Sequence, residues 1–480
     1  MEKYKQSRKK PTEFRFWNMV TKTGQGYHVG IKTIYLLSFR PFVRRRAGEN
    51  GTRYDMDNTK KGFGGYGWFL ILFGLFIFYF NVGFNADGSN VFAPAVAASI
   101  GVESGVILSM NSIAGIIGVI ISIFAGQLNR KIGPRMVCGI MLLIGGLAYI
   151  GAANATSVAV YTVAMCFSFG GMNSAMFVGY GSLTTNWFPK KMGAVMGIAT
   201  MGAGLGTMTY VAVFTKLIAA MGVKTASLFP AGICIIIAVI GLAVSRNTPA
   251  ERGLNPDNVS DEVFRSEYAA APEEGEDPTG GWTIAKLFKT KEVWLCAVCC
   301  GLLMLCQVGI MSQLVVRNME VGFDQSKAVL LMSFIAVFGL VFAPIIGRMV
   351  MKFGPKKVVV AVCILMALAV FLNATGVRPL YWVSIVLIGI TSTAPPNFVN
   401  SLPGSVFGRV GYPVVNSVLF PIISIIQMLN FAVNGFISMA FGSLRISYIS
   451  FGVMIIVSLI LALAVKDQKF NKDFMTQKDD

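Results

Sequence analysis

Long apolar stretches with few or no charges alternate along this chain with short polar or basic connections. The stretches run at about 67–96, 104–126, 136–153, 158–185, 193–220, 226–245, 292–318, 326–347, 357–374, 380–403, 414–440 and 445–465. At about 1.5 Å per residue, a helix of this length crosses a hydrocarbon core of about 30 Å. Helices are required there, because an unpaired backbone group in lipid costs several kcal/mol. The pattern therefore predicts an all-α integral membrane protein with twelve transmembrane helices. Pro395, Pro396 and Pro403 should break the tenth stretch, freeing carbonyls that are tolerable only beside a cavity or a packed partner. Gly83 and Gly88 allow a break in the first, which runs on in apolar residues as far as Ile100.

The pattern also repeats. The loop from Gly126 to Arg135 joins the second and third stretches, and the loop from Gly347 to Lys356 joins the eighth and ninth. A shift of 221 residues superimposes Gly126 on Gly347, Lys131 on Lys352, Gly133 on Gly354, Pro134 on Pro355 and Arg135 on Lys356. The same shift places Gly101 on Gly322, Glu103 on Asp324, Ser112 on Ser333 and Gly118 on Gly339. One offset across a helix and both its flanking loops argues for duplicated halves. The expected segments are a basic arm (1–65), a six-helix half (66–245), an acidic, Pro-containing linker (246–290), a second six-helix half (291–465) and a tail (466–480).

Composition agrees with a lipid environment: 54% of the 480 residues are hydrophobic and only 13% charged, too few charges to coat a water-soluble globule of this size. The net charge of +18 sits in alternate loops and in the tails, as the positive-inside rule expects, and not in a nucleic-acid face. Loops placed inside hold Arg130, Lys131, Arg135, Lys190, Lys191, Arg348, Lys352, Lys356, Lys357 and Arg409. Those placed outside hold only Lys224, Lys327, Arg378 and Arg445. Both termini are then cytoplasmic in a multi-pass cell-membrane protein. Residues 1–65 carry fifteen Lys or Arg against five acids, with interleaved aromatics; this suits contact with anionic lipids, or equally a solvated basic tail. All eight cysteines lie in apolar stretches, and Cys296, Cys299 and Cys300 have no His or carboxylate beside them to complete a metal site. No phosphate loop, nucleophile with a base, cofactor motif or metal set is present, so neither an enzyme nor an ATP-driven pump is expected.

The basic Gly-containing loop, its echo and the long central linker resemble the major facilitator superfamily. That family's loop reads Gly, three variable residues, Asp, Arg, a variable residue, Gly, Arg, then Lys or Arg. Gly126, Lys131, Gly133 and Arg135 match it, whereas Arg130 replaces the Asp and Pro134 the first Arg; Met351 holds the Asp position in the second copy. The resemblance implies two pseudo-symmetric six-helix halves, alternating access, and a cytoplasmic gate at Gly126, Arg130, Lys131, Gly133, Arg135, Gly347, Lys352, Gly354 and Lys356. The missing acids imply an altered latch. Asn186 to Gly193, followed by Gly197, Gly202, Gly204 and Gly206, and Ser89 to Pro94 before Gly101, resemble the oxalate/formate antiporter and monocarboxylate porter branches. Those branches imply a small organic acid as cargo, moved with a proton or by exchange.

Charges within spans are the default functional signal, and few exist. Asp87 lies in the first stretch near Asn81, Asn85, Ser89 and Asn90, and the 221-residue shift pairs it with Val308. Against the monocarboxylate branch it falls about where that branch carries a lysine for its anion. Asp87 is therefore a contact for an amine or zwitterion, a proton-coupling carboxyl, or a solvated acid at the outer mouth. Spans eight and eleven lack the cations those branches use, leaving Arg317 as a substitute or as a snorkelling interfacial residue. Asn111, Asn173, Tyr180, Gln307, Gln313, Asn397, Gln427 and Asn430 supply uncharged polar groups for a cavity or for helix packing. The expected function is secondary transport of a small organic acid, with an amine or zwitterion at Asp87 as the alternative. A non-transporting membrane sensor or scaffold is the alternative of another class.

Overall fold

The computed structural model describes residues 62–189, 191–267, 281–408, 411–466 and 469–470. Every regular element among them is a helix. Span one is Gly64–Asn85 followed by Ser89–Ile100, span two Ser104–Ile132 and span three Pro134–Ala153. Span four joins Val158–Asn173, a π-helical turn Ser174–Tyr180 and Gly181–Trp187. Span five starts as Met192–Leu205 and passes through a second π-helical turn, Gly206–Tyr210. The following helix, Val211–Val244, folds over at Gly222 (φ 75°), so it completes span five and supplies span six.

Span seven is Lys291–Met311 with Leu314–Glu320, span eight Gln325–Phe353 and span nine Pro355–Thr375. Span ten is Arg378–Thr391 and Pro395–Phe407, bent by 48°. Spans eleven and twelve are Tyr412–Phe441 and Arg445–Ala464. These are the twelve spans of the sequence pattern, in two six-helix halves. Span ten breaks just before Pro395 and Pro396, which take the first positions of its second segment, while Pro403 sits inside that segment without ending it.

The repeat holds in atomic detail. Gly133 and Gly354 adopt the same backbone conformation, with φ 84° and ψ 160° and 150°, a region closed to side-chain-bearing residues. Arg135 Nε donates to Leu242 O (2.8 Å), and Lys356 Nζ donates to Leu463 O (3.0 Å) and Val465 O (2.7 Å). Leu242 and Leu463 are themselves related by the 221-residue shift. Each cation thus caps the carbonyl end of the last span in its own half, where the helix dipole favours positive charge. Arg130, Lys131 and Lys352 are exposed, and Met351, at the position of the missing acid, is 81% exposed.

The halves meet along two seams, span two against span eleven and span five against span eight. Among the described residues, the hydrogen bonds between halves lie on the side away from the basic loops. Ser112 Oγ donates to Met428 O (2.6 Å) and accepts from Ala432 N (2.6 Å), while Ser333 Oγ donates to Met208 O (2.7 Å). Nearer the basic loops the halves touch through the rings of Phe177 and Phe420, 4.8 Å apart.

The connection after span six is folded rather than loose over its described part. Asp257 is fully buried and accepts from Lys191 N (2.9 Å), Asn258 Nδ2 donates to Gly62 O (3.1 Å), and Arg252 stacks over Tyr66 at 4.2 Å. Against the second half, Trp282 packs on Phe407 and Phe470, and Lys469 Nζ reaches the buried Glu292 carboxylate at 2.5 Å. Most of the basic arm, together with Lys190, Arg409 and residues 268–280, lies outside the described residues, and with it the expected contact with anionic lipids.

Candidate functional site

The break in span one centres on Ala86, Asp87 and Gly88. A Cβ on Gly88 would stand 1.7 Å from Gly83 O, so the turn closes only because that residue is glycine. Behind the turn, Phe84 stacks on Tyr149 at 4.1 Å and Phe92 on Tyr149 at 4.4 Å, and Tyr210 Oη donates to Tyr149 Oη (3.0 Å). This aromatic packing fixes the break against spans three and five.

Asp87 is 5% exposed. Its Oδ2 accepts a hydrogen bond from Thr207 Oγ1, in the π-helical turn of span five, and it has no ion-pair partner among the described residues. A buried carboxylate held by one neutral donor is expensive to keep charged, so this position responds to any cation or proton that reaches it. π-Helical turns cluster at functional positions; the one in span five carries Thr207, and the one in span four begins directly after Asn173.

Neutral groups continue from Asp87 into span four. Asn81 Nδ2 donates to Asn173 Oδ1 (3.0 Å), and Ser168 Oγ donates to Asn85 Oδ1 (3.2 Å). Asn85 Nδ2 is buried with no hydrogen-bond partner, an exception that calls for an explanation in a packed interior. Asn111 accepts from Tyr161 Oη (2.7 Å), tying span two to span four. Asp87, Asn85, Asn81 and Asn173 thus lie along the packing of spans one, four and five in the first half, while Asn111 is held apart by Tyr161. Tyr180 is buried nearer the basic loops, and its Oη lacks a partner.

The second half contributes amides without charge. Gln313 is buried at the break of span seven, with Nε2 on Ser312 O (2.6 Å). Asn430 Nδ2 bonds Gln427 O (2.7 Å), leaving Asn430 Oδ1 buried and unpartnered. Gln307 borders a void of ≈ 10 Å³ with Met366 and Thr391, about the limit for one water. Asn397 is exposed, and its Nδ2 donates to Thr393 O in the bend of its own span (3.2 Å). Asn90, opposite the break of span seven, donates to Met311 O (2.7 Å) and accepts from Val315 N (2.9 Å), so the two broken spans meet.

Arg317 differs from both sequence-based expectations. It is 4% exposed, so it does not snorkel. Its Nε and Nη2 donate to Asn373 Oδ1 and O (3.0 Å each), and Nη1 pairs with Glu320 (2.9 Å), which also accepts from Leu444 N (2.9 Å). The guanidinium ties spans seven, nine and twelve together at their ends away from the basic loops. Thr207 and Ser168 were not singled out by the sequence; for Thr207 the available signal was its place beside the glycines at 204 and 206. Among the described residues no group of three or more His, Cys, Asp or Glu could hold a metal.

A family model described as Major Facilitator Superfamily matches residues 71–411. The chain belongs to this superfamily. It is a membrane transporter that works by alternating access, not an enzyme. Solved structures with the same fold include a bacterial homolog to the human lysosomal transporter Spinster, inward-facing and unoccupied (14% identity, 84% of this chain and 97% of that chain, TM-score 0.64). A D-xylose-proton symporter matches at 13% identity over 84% of this chain and 98% of that chain, with a TM-score of 0.63. A POT family transporter in complex with 5-aminolevulinic acid matches at 16% identity over 85% and 97%, with a TM-score of 0.59. At these identities the likeness is one of fold. A comparison with curated protein sequences gave no significant match.

Proposed function

We propose that this chain moves a small organic solute across the cell membrane, with Asp87 as the charged contact of the central site. The basic-loop end and both termini face the cytoplasm in this reading, which follows from the distribution of Lys and Arg among the loops. The arrangement described above is then closed outside, and its inner side is held together more thinly, by contacts such as Phe177 on Phe420.

The carrying observation is a buried Asp87 with Thr207 as its single side-chain hydrogen-bond donor among the described residues. A solute bearing an amine, alone or as a zwitterion, supplies the missing positive charge directly. This favours an amine or zwitterion over a bare anion. The only arginine considered for an anion, Arg317, has its N–H groups committed to Asn373 and Glu320.

The second reading, a small organic acid carried with a proton or by exchange, rests on the Ser89–Pro94 and Asn186–Gly193 stretches. There the proton on Asp87 stands in for the solute's positive charge, and the amides of Asn85, Asn173 and Asn430 meet the acid. A thermal-shift screen of purified protein with amines, amino acids and small monocarboxylates separates the two, because a binder stabilises the folded state. Stabilisation by amines or amino acids that disappears in Asp87→Asn supports the first reading. Stabilisation by monocarboxylates alone, strengthening as pH falls, replaces it with the second. Binding untouched by Asp87→Asn removes Asp87 from both.

A further inference from the structure

Ser112 and Ser333 are repeat mates, and each reaches across the molecule. Ser112, in span two, donates to Met428 O of span eleven at 2.6 Å; Ser333, in span eight, donates to Met208 O of span five at 2.7 Å. Each seam between the halves thus carries one serine hydroxyl bonded to a backbone carbonyl of the other half. The duplicated sequence has kept the same device at both seams, although the two partner spans, five and eleven, differ in local geometry.

The difference lies in the π-helical turn Gly206–Tyr210 of span five. Thr207 and Met208 are consecutive residues of that turn. Thr207 holds Asp87 and Met208 receives Ser333, so one turn links the charged site to the seam. Span eleven runs as a continuous helix through Met428, and Ser112 has no such link.

The hydroxyls also have alternatives. Thr207 Oγ1 has one proton and two acceptors in reach, Asp87 Oδ2 and Ala203 O (3.2 Å), the latter one turn back in its own helix. Ser333 Oγ likewise has Met208 O at 2.7 Å and Val329 O, in its own helix, at 3.5 Å. A charged Asp87 is the stronger acceptor and holds the Thr207 proton. Once a solute cation or a proton neutralises Asp87, that advantage is lost and the Thr207 proton can return to Ala203 O. A π-helical turn holds one residue more than the α-helical turn it replaces; a rearrangement of that turn moves Met208 with Thr207.

We propose that Ser112 and Ser333 interlock the two seams of the closed end, beside the contact of span one with span seven at Asn90, and that Thr207 is the positioning residue through which Asp87 controls the Ser333 interlock alone. This rests on the reading of Asp87 as the charged centre, and it adds the route from that centre to the domain movement. Opening is therefore asymmetric in origin: the span five and span eight seam releases first, and the span two and span eleven seam follows.

Spin labels on Ser99→Cys and Ser326→Cys, two exposed positions at the closed end of opposite halves, report the open fraction by pulsed dipolar distance measurement in nanodiscs. The native cysteines are all buried, and a melting curve on each variant checks the fold. Ser333→Ala should raise the ratio of open to closed about fivefold, the effect of one ordinary buried hydrogen bond, and Ser112→Ala at least as much, since Ser112 Oγ also accepts from Ala432 N across its seam. Thr207→Val should match Ser333→Ala and Thr207→Ser should restore the parent ratio. Thr207→Val combined with Ser333→Ala should stay near fivefold, whereas Ser112→Ala with Ser333→Ala should reach the product of the single effects, about 25-fold or more, since only the first pair shares one connection.

Full multiplication of Thr207→Val with Ser333→Ala overturns the coupling. Unchanged distances in both serine variants overturn the interlocks. A shift in Asp87→Asn with none in Thr207→Val or Ser333→Ala sinks this route while leaving Asp87 as the charged centre. Shifts in the Thr207 and Ser333 variants with none in Asp87→Asn keep the interlocks and remove Asp87 from control.

Discussion

The closed end depends on a contact in which two backbones nearly touch, and a single methyl group tests it. Gly105 of span two and Gly435 of span eleven face each other. A Cβ on Gly435 would lie 2.3 Å from Ser109 Oγ, 2.5 Å from Gly105 O and 2.9 Å from Ser109 N. Two of these three atoms are backbone, and the third is held by its own bond to Gly105 O at 2.9 Å, so no rotamer change relieves the clash. Overpacking of this kind costs about 1–3 kcal/mol. The penalty falls only on conformers in which the seam is closed, because the obstructing atoms belong to the opposite half. Gly435→Ala should therefore raise the ratio of open to closed by about 5-fold to about 150-fold.

The same pair of labels at Ser99 and Ser326 reads this ratio. Gly105→Ala gives an internal comparison: a Cβ there would lie 2.5 Å from Met439 Cγ, part of a flexible side chain, and 2.8 Å from one backbone atom of the opposite half, Gly435 O, so it should shift the ratio in the same direction by a smaller amount. Gly197→Ala, with nothing within 4 Å, should leave the ratio where it was. If Gly435→Ala leaves the distance distribution unchanged while the protein melts normally, the seam is not what holds this end shut.

Three further outcomes follow from the packing. Arg317→Met should lower stability by about 3 kcal/mol, as loss of one member of a buried charged network does, without altering the apparent affinity for a transported solute; a changed affinity with an unchanged melting curve would return Arg317 to the site. Lys469→Met strands the 1% exposed Glu292 carboxylate and should cost about 1–3 kcal/mol. Adding Glu292→Gln to that variant should recover part of the loss in a melting experiment, since the buried charge is then gone, and no recovery would mean that the pair contributes little.

Much of this architecture was legible because lipid imposes a simple rule. Uncharged runs of spanning length located all twelve helices, and the shared offset of Gly133 with Gly354 and of Arg135 with Lys356 announced the two halves. The break in span ten was visible in Pro395 and Pro396, since proline disrupts a helix through covalent geometry alone. The break in span seven was not: Ser312 and Gln313 carry no strong helix-breaking signal, and the interruption is supported by Asn90, more than two hundred residues earlier. The two π-helical turns likewise have no sequence signature, so the place of Thr207 beside Asp87 emerges only when spans one and five are packed.

Arg317 shows the same limit from the other side. Read as an isolated cation near a span end, it invited a surface or solute role; Asn373 of span nine and the ring of Tyr448 in span twelve cover it instead. The acidic connection after span six looked like a solvated linker by composition. Yet Asp257 and Asn258 adopt left-handed backbone (φ 57° and 54°) and fold its first part against the start of span one. Asp87 itself stood out in the sequence as an acid in an apolar stretch. Its burial, and its dependence on one threonine, are tertiary facts.

The most direct test is solute accumulation in proteoliposomes, with the candidate taken from the thermal-shift screen and a proton gradient imposed. Wild-type protein should concentrate the solute above its outside level, and Asp87→Asn, still folded by its melting curve, should fail to concentrate it. Equal accumulation by the two proteins, with the same dependence on the gradient, would contradict the place given to Asp87 at the centre of transport.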